Sequence, residues 1–256
     1  MHITSLQNPH IKYIVKLRDD KRQRQQEGRM LVEGCDEINL ALANGHRPQM
    51  LLTAPELASR QIGDARSEVI TVSRAVFEKI SYRENPDGWM AIFPIPKFSL
   101  DDLKLTDSSL LIIAESIEKP GNLGAILRTA DAAGVAALLV CDPRVDLYNP
   151  NVVRASRGAL FTVPSVETAN ESALAFLRQH GIRIVAATPG AEADYTSQDL
   201  RGPLAVAVGT EDKGLTDFWL KQSDINVKIT MSGKVNSLNV SIATALIIYE
   251  AIRQRS

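Results

Sequence analysis

Three short segments of the chain combine glycines, small polar side chains and charged groups, which is the mixture that a ligand site needs. They are Asn122-Leu-Gly-Ala-Ile-Leu-Arg128, Gly209-Thr-Glu-Asp-Lys-Gly214 and Asn236-Ser-Leu-Asn239. Glycine allows a sharp turn, and a guanidinium such as that of Arg128 suits a phosphate or a ribose. The G-x-G-x-x-G spacing of a dinucleotide site is missing. The chemistry indicated is therefore the positioning of a substrate.

Each segment also has an ordinary structural explanation. Asn122 could cap a helix and leave Arg128 on the surface, and for this segment alone that explanation is favoured. Glu211 could cap the turn that follows it, and Ser237 is a good helix cap. Capping needs only one such residue, so the polar residues of the third segment together indicate more than a cap.

Apolar strands alternate with helices around these segments. Predicted strands are Leu110–Ala114, Ala137–Val140, Arg183–Ala187, Leu204–Val208 and Asn226–Ile229, and predicted helices are Asn122–Ala133, Ala173–His180 and Ser237–Arg253. Continuous apolar strands separated by helices predict a parallel sheet that is covered on both faces. Ligands bind at the carboxyl ends of such strands, where the three segments can meet.

The N-terminal part has its own alternation, which predicts a small α/β domain. Its predicted helices are His10 to about Gln26, Asp36–Asn44 and Arg74–Ile80, and its predicted strands are Met50–Thr53, Glu68–Val72 and Met90–Phe93. Pro94, Pro96 and the charged stretch after them mark a boundary. The predicted division is a first domain over residues 1–98, a linker over 99–108 and a second domain over 109–256.

The composition narrows the class of protein. No run of 18 apolar residues could span a membrane, and the first residues lack the pattern of a signal peptide, so a cytoplasmic location is expected. Cys35 and Cys141 have no spacing partners, and no histidine lies in a motif, so neither a disulfide framework nor a metal site is predicted. The net charge of −1 argues against holding RNA by bulk electrostatics but permits a local basic patch.

Two basic stretches are candidates for contact with a nucleic acid. The first runs from Lys12 to Arg29, includes Lys21 and Arg22, and fits a solvated helix face equally well. The second holds Arg154 and Arg157 next to a serine and a glycine, a combination suited to phosphate. Its alternative is a basic loop that leads into a helix.

In their order along the chain, the three segments resemble the signature motifs of the SpoU (TrmH) family of RNA ribose methyltransferases, within the SPOUT superfamily. The resemblance covers roughly the last 150 residues. It implies an α/β protein with a C-terminal parallel-sheet, trefoil-knot methyltransferase domain, preceded by a small α/β RNA-binding domain. It also implies methyl transfer from S-adenosylmethionine to a ribose 2′-hydroxyl, and a homodimer that forms through the C-terminal domain and shares the catalytic site.

The resemblance assigns roles to residues of this sequence. The catalytic positions are Arg128, Asn122, Glu211, Ser237 and Asn239, and the cofactor-binding positions are Gly209, Ile229, Leu238, Thr188, Gly214 and Met231. The chain departs from the family at Thr230, where the family usually has proline.

The family's usual proposal makes Arg128 the general base. Because a guanidinium is hard to deprotonate, we expect Arg128 instead to hold the hydroxyl or a phosphate and to stabilise negative charge. The other four catalytic positions would then orient Arg128 and the ribose.

The N-terminal part resembles the substrate-binding domain of SpoU relatives through its placement, its length and the pattern Ser5-x-x-Asn-Pro-x-Ile-Lys12. Ribosomal RNA is the expected substrate, with transfer RNA as the alternative. A non-catalytic RNA-binding relative of the same fold remains open, although the retained polar residues speak against it. A small-molecule transferase also remains open, but the chain lacks any phosphate loop.

Overall fold

The computed structural model describes residues 2–255, which form two compact units. The first unit comprises the chain up to Pro96 together with Tyr148–Thr162. The second comprises Lys97–Leu147 together with the chain from Val163 onward. Both units combine helices with a sheet, as the alternation of the sequence predicts.

The part of the chain up to Pro96 folds around a mixed sheet. Its elements, in chain order, are β1 (His2–Ile3), α1 (Pro9–Asp19), α2 (Lys21–Glu27), β2 (Arg29–Glu33), α3 (Cys35–Ala43), β3 (Met50–Thr53), β4 (Val69–Val72), α4 (Arg74–Ile80) and β5 (Trp89–Pro94). The strand order is β1-β4-β3-β5-β2, and β5 runs antiparallel to both of its neighbours. Ile14, Leu17 and Phe77 are fully buried on the helices that cover this sheet.

One long helix was predicted from His10 to about Gln26, and the structure corrects this to α1 and α2. The break falls at Asp20, whose backbone is extended, with φ −106° and ψ 110°. Its side chain accepts hydrogen bonds from the backbone N–H groups of Arg22 (2.8 Å) and Gln23 (3.3 Å). Aspartate favours such capping over the helix interior, so the basic stretch lies on two helices.

The rest of the chain supplies the second sheet and one further helix of the first unit. These elements are β6 (Leu110–Glu115), α5 (Pro120–Ala132), β7 (Ala137–Cys141), α6 (Pro150–Ser156), β8 (Ser165–Thr168), α7 (Asn170–Gln179), β9 (Arg183–Ala187), β10 (Ala193–Asp194), β11 (Leu204–Val208), α8 (Asp217–Gln222), β12 (Ile225–Lys228) and α9 (Val240–Arg255). Short 3-10 helices span Leu100–Asp102, Ala159–Phe161 and Tyr195–Ser197.

The second sheet has the strand order β10-β12-β9-β11-β6-β7-β8, and each of its strand pairs is parallel. β11 is buried along its whole length, and Leu204 to Val208 pair in register with Leu110 to Ala114 of β6. The parallel sheet predicted from the apolar strands is thereby confirmed. The trefoil knot stays a prediction, because strand order alone does not establish it.

The segment Tyr148–Thr162 lies inside the range predicted for the second domain, and it packs within the first unit. Phe161 contacts the rings of Phe93 and His46, with centroid distances of 5.1 and 5.0 Å. Gly158 has φ +89°, and an added Cβ would lie 2.9 Å from the Leu40 side chain. The chain therefore returns to the first unit after β7.

The segment predicted as a linker is ordered against the second unit. Ser99 begins the 3-10 helix Leu100–Asp102, and its backbone N–H and hydroxyl both donate to Asp102 Oδ2, at 2.8 and 2.6 Å. Leu103 and Leu105 pack against the core of the parallel sheet. Among residues 2–255, no helix is long and apolar enough to cross a membrane.

Candidate active site

A pocket of about 360 Å³ opens at the carboxyl ends of β9, β11 and β12. β9 lies between β11 and β12 in the sheet, so the loops that follow these strands lie side by side. Thr188 follows β9, Gly209 follows β11 and Ile229 follows β12. Every position predicted to bind the cofactor lines this pocket: Gly209, Ile229, Leu238, Thr188, Gly214 and Met231.

The loop after β11 makes a tight turn that leaves room only for glycine at position 209. Thr210 and Gly214 exchange two backbone hydrogen bonds of 3.0 Å, which close the turn. A Cβ atom at Gly209 would collide with the backbone of Gly214 and Leu215. Gly214 itself has φ +68°, a conformation that favours glycine. Both glycines therefore shape the wall of the pocket.

A buried carboxylate fixes the far end of this loop. Glu115, the last residue of β6, is 1% exposed and accepts hydrogen bonds from the backbone N–H (2.8 Å) and hydroxyl (2.7 Å) of Thr216. Asn170 donates to the same carboxylate at 3.0 Å and accepts from the Trp219 indole at 2.7 Å. The three motifs do not include Glu115, although an apolar strand that ends in a carboxylate was a usable signal.

The third motif lies in a loop, and this corrects the prediction that the last helix begins at Ser237. α9 begins at Val240 because Asn239 is its cap: the Asn239 side-chain oxygen accepts from the N–H (3.0 Å) and hydroxyl (2.6 Å) of Ser241. Ser237 precedes the helix and lines the pocket. At the start of the loop, the Thr230 hydroxyl donates to Asp194 Oδ2 at 2.7 Å.

Residues of all three motifs meet at Glu211. Its Oε1 accepts hydrogen bonds from the side-chain amides of Asn122 (3.0 Å) and Asn239 (2.6 Å). The Asn239 amide also donates to Asn122 Oδ1 at 3.0 Å, which closes a ring of three side chains. The structure thus brings Asn122, Glu211 and Asn239 together, and their catalytic role remains a proposal.

A fourth side chain, which lies outside the three motifs, joins this ring. The ammonium of Lys119 forms an ion pair with Glu211 Oε2. Lys119 immediately precedes α5, whose first residue is Pro120. The hydrogen bonds from Lys119 and then Asn122 hold the pKa of Glu211 below its usual range. Glu211 is therefore a carboxylate at neutral pH, with both oxygens occupied.

Arg128 is placed apart from this ring. It lies on α5 and is exposed, and its side chain forms no hydrogen bond or ion pair with another residue in the range 2–255. Within one chain, Asn122, Glu211 and the other polar motif residues form no hydrogen bond with this guanidinium, and the expectation that they orient it stays a prediction. Within the same range, no group of three or more His, Cys, Asp or Glu side chains is arranged to hold a metal ion.

The residues predicted to contact RNA belong to the first unit. Lys12, Lys21, Arg22, Arg154 and Arg157 are all exposed. Arg154 lies on α6, and Arg157 follows that helix with a left-handed backbone at φ +56°. Such a conformation is costly without glycine, and it occurs often at functional sites.

Other cations of the basic stretch have structural partners instead. Arg24 is buried and donates to the backbone carbonyls of Leu17 and Arg18, each at 2.8 Å. Arg29 donates to the Tyr13 hydroxyl at 2.8 Å and contacts Glu27. The stretch is therefore divided between cations that stabilise the helices and cations that remain exposed.

Two family matches together cover most of the chain. Residues 109–249 match the SpoU rRNA Methylase family, and residues 8–91 match the MRM3-like substrate binding domain. An uncharacterized tRNA/rRNA methyltransferase of Synechocystis is 33% identical over an alignment that covers 99% of this chain and 94% of the relative.

Two solved structures have the same fold along nearly their whole length. One is an RNA 2′-O ribose methyltransferase with 40% identity and a TM-score of 0.89, covering 100% of this chain and 99% of the other. The second is an AdoMet-bound rRNA methyltransferase from Sinorhizobium meliloti, with 28% identity, a TM-score of 0.89 and coverage of 99% and 97%. The fold is thus that of an RNA methylase. The chain belongs to the SpoU rRNA methylase family.

Proposed function

We propose that this protein is an RNA 2′-O-methyltransferase that uses S-adenosylmethionine and acts on ribosomal RNA. The observation that carries the proposal is the pocket at the carboxyl ends of β9, β11 and β12, which shares Glu211 with the ring of Asn122 and Asn239. A donor site and a cluster of hydrogen-bonding side chains therefore adjoin each other, as a transfer reaction requires.

The pocket fits the donor in size and in chemistry. Its volume falls in the range of about 300–1,000 Å³ that is typical of small-molecule sites. Apolar side chains such as Val208, Val227 and Ile247 suit the adenine ring, and backbone groups of the Gly209 turn suit its polar edge. When bound, S-adenosylmethionine supplies a methyl group on a positively charged sulfonium. The Sinorhizobium relative was solved with AdoMet bound, which supports the same donor here.

In this proposal, the residues of the ring position the acceptor. Asn122 and Asn239 hold the Glu211 carboxylate, which accepts a hydrogen bond from the incoming ribose hydroxyl. Arg128 binds a phosphate or the hydroxyl and stabilises the negative charge that develops on the oxygen. Ser237 lies at the rim of the donor pocket and orients the ribose. Positioning of this kind supplies about 7–11 kcal/mol of a reaction barrier in favourable cases.

The first unit is proposed to bind the RNA. Its match to a substrate binding domain supports this assignment, and so do the exposed cations Lys12, Lys21, Arg22, Arg154 and Arg157. The proposed domain division stays at residues 1–98, 99–108 and 109–256, with Tyr148–Thr162 contributing to RNA binding through its two arginines. A ribosomal RNA substrate fits the cytoplasmic location that we propose.

A homodimer through the C-terminal domain is also proposed. Ile242, Leu246 and Tyr249 are 52%, 38% and 49% exposed on α9. Their spacing puts them on one face of the helix, and exposed apolar patches of this kind mark interaction sites. Sedimentation should show a dimer for the native protein and a monomer for Leu246→Glu. The matched control is Gln222→Glu, an exposed position on α8 that should leave the dimer intact.

Two measurements test the proposed activity. Calorimetry with S-adenosylmethionine in the presence of a chelator should show binding without metal. Labelled methyl transfer should then be measured on ribosomal RNA fragments and on transfer RNA, with the modified ribose located by its resistance to alkaline hydrolysis. Methylation of transfer RNA alone would replace the substrate, and donor binding without any transfer would favour a non-catalytic relative.

A further inference from the structure

The ion pair between Lys119 and Glu211 has an unusual place in the site. The Glu211 carboxylate is bound on one oxygen by two amides and on the other by the Lys119 ammonium. The Lys119 side chain is 68% exposed, whereas that of Glu211 is 24% exposed. The lysine therefore covers the solvent side of a carboxylate that the proposed reaction uses.

The members of the ring differ in how firmly they are held. Asn239 is fixed from behind because its oxygen caps α9, and Asn122 both donates to Glu211 and accepts from Asn239. Lys119 has Glu211 as its hydrogen-bonding partner, at the end of a flexible four-carbon chain. Exposed ion pairs of this type add little stability. The lysine is thus the member that can leave most easily.

A small pocket of about 60 Å³ lies at this ion pair. Lys119, Asn122 and Glu211 are among its lining residues. It shares Thr210 and Glu211 with the donor pocket, so the two adjoin. A ribose that reaches Glu211 from this side must displace or pass the Lys119 ammonium, and each ribose in RNA is flanked by phosphates that bind ammonium groups.

We propose that Lys119 is a positioning residue for the substrate: it holds Glu211 in the RNA-free protein and transfers its ammonium to a phosphate beside the target ribose when RNA binds. The inference rests on the proposed function. A point-charge donor can change partners without a fixed geometry, unlike a guanidinium. RNA binding thus adds a contact between a phosphate and the Lys119 ammonium. It also uncovers the Glu211 carboxylate, which then meets the ribose hydroxyl.

This exchange changes the basicity of Glu211 at the moment of substrate binding. Lys119 is the largest contributor to the lowered pKa of Glu211, so its departure raises that pKa. The other charged groups that line the small pocket are Glu118 and Asp212. Together with Glu211, which has the largest effect, they raise the pKa of Lys119. Lys213 lines the adjoining donor pocket. A stronger base close to the hydroxyl accepts its proton more readily.

The first test measures RNA affinity against salt for Lys119→Met, Lys119→Arg and the native protein. Lys119→Met should weaken binding of a ribosomal RNA fragment about tenfold, and its salt slope should be shallower by about 0.7–0.9. Lys119→Arg should retain the slope, because the charge remains. Lys221→Met is the matched control, since Lys221 is a similarly exposed lysine that pairs with Asp217. A slope for Lys119→Met equal to the native slope would overturn the proposal.

The second test separates the free protein from the RNA complex. The acid limb of kcat/KM reports groups of the free enzyme, and that of kcat reports groups of the complex. In Lys119→Met, the kcat/KM limb should move to higher pH because Glu211 has no cation beside it, while the kcat limb should stay in place because the lysine has already left in the native complex. If both limbs move together, Lys119 remains on Glu211 during turnover and the proposal is wrong.

Failure of this inference is distinguishable from failure of the proposed function. If the native protein methylates no RNA, the proposed function fails first. If the native protein is active and Lys119→Met matches it in affinity, slope and both pH limbs, only the role of Lys119 is refuted. Donor binding by calorimetry serves as the folding check, because Lys119 does not line the donor pocket.

Discussion

The donor pocket and the face of α5 that carries Arg128 lie in the same unit, yet they are organised in opposite ways. Around the donor pocket, the loops follow neighbouring strands of the parallel sheet and are closed by further hydrogen bonds, as in the turn from Thr210 to Gly214 and the tether from Thr230 to Asp194. The Arg128 side chain, in contrast, extends from an exposed helix face and forms no hydrogen bond or ion pair within residues 2–255.

This difference in organisation indicates that the methyl donor and the RNA bind to two different kinds of site. A pocket whose walls are already fixed binds a small molecule without the entropic cost of ordering its loops. A long exposed side chain is ordered only when its ligand arrives. We therefore expect the donor half, which is the pocket around Gly209, to be complete in the free chain. The acceptor half, which includes Arg128, would be completed by RNA and, in the proposed homodimer, by the second copy of the protein.

The largest effect should come from Arg128→Ala. Methyl transfer to RNA should fall by about 10²–10³-fold, because one preorganised charge partner of the reacting oxygen is removed. Donor affinity should stay unchanged, since Arg128 is not among the residues that line the pocket. Turnover under saturating donor, together with calorimetry, checks both halves of this expectation.

Two further variants sharpen the Arg128 result. Arg128→Lys should also be inactive, because a point charge does not reproduce the planar fork of a guanidinium. Arg201→Ala removes another exposed arginine of the same unit, which pairs with Asp199, and should behave as the native protein does. Near-normal turnover in either Arg128 variant would remove this residue from the mechanism.

The next effect should come from the donor side, with Gly209→Ala. The added Cβ would collide with the backbone of Gly214 and Leu215, so the turn that forms the pocket wall must shift. Strain of about 1–3 kcal/mol is expected for such overpacking, which corresponds to roughly 5- to 150-fold weaker donor binding if the turn carries it. Calorimetry measures this directly.

Gly190→Ala is the matched control for Gly209→Ala. It also follows a strand of this edge, but its Cβ would have room, with the nearest atom, Thr188 Oγ1, at 3.9 Å. Its donor affinity should match the native value. If Gly209→Ala bound the donor as tightly as Gly190→Ala, the pocket would not be the rigid half of the site.

The sheet edge that forms the donor pocket could be predicted from the sequence, because the patterns that mark its strands and loops are local. The strands predicted to end at Ala187, Val208 and Ile229 mark loops at one edge of a parallel sheet, and the structure has these loops side by side. The start of α9 was predicted wrongly at Ser237, because Asn236, Ser237 and Asn239 lie close together and each can serve as a cap. Which one does so depends on packing that the pattern does not contain.

Long-range contacts outside the three motifs were the part that the sequence did not reveal. Lys119 lies outside the motifs, and its partner Glu211 lies 92 residues further along the chain. The return of Tyr148–Thr162 to the first unit depends on Phe161 meeting Phe93, two aromatic residues that have no shared local pattern. Periodicity predicts elements, but it does not predict which distant elements touch.

A smaller effect should follow when exposed cations of the first unit are neutralised. The triple variant Lys12→Ala, Lys21→Ala and Arg22→Ala should bind RNA more weakly, with a salt slope that is shallower by about 0.7–0.9 for each phosphate that is no longer neutralised. Donor affinity should be unaffected. Arg154→Ala should make the salt slope shallower by about 0.7–0.9, the amount expected for one phosphate.

Arg74→Ala controls for charge alone, since Arg74 is exposed and already paired with Glu78. Its salt slope should equal that of the native protein. Equal slopes for the triple variant and Arg74→Ala would mean that the basic stretch is a solvated helix face, which is the alternative that the sequence left open.

The smallest effect should come from Thr230→Val, which tests the donor half at the position where the family usually has proline. The variant keeps the branched shape but cannot make the hydrogen bond to Asp194. Donor affinity should therefore fall only about threefold, near the lower end of what one such bond contributes. Calorimetry measures the difference, and Thr230→Ser, which retains the hydroxyl, should bind as the native protein does.

The pKa of Asp194 predicts how this small effect depends on pH. Hydrogen bonds from Thr230 and Thr196 lower the pKa of Asp194 to about 2. A carboxyl whose pKa is lowered in the folded protein contributes fully to stability above its unfolded-state pKa. It loses that contribution only as the pH falls through its folded-state pKa. The ratio of native to Thr230→Val affinity should therefore stay constant from neutral to mildly acidic pH. Unchanged donor affinity in Thr230→Val, together with weaker binding by Thr230→Ser, would show that the methyl group of Thr230, and not its hydroxyl, holds this loop.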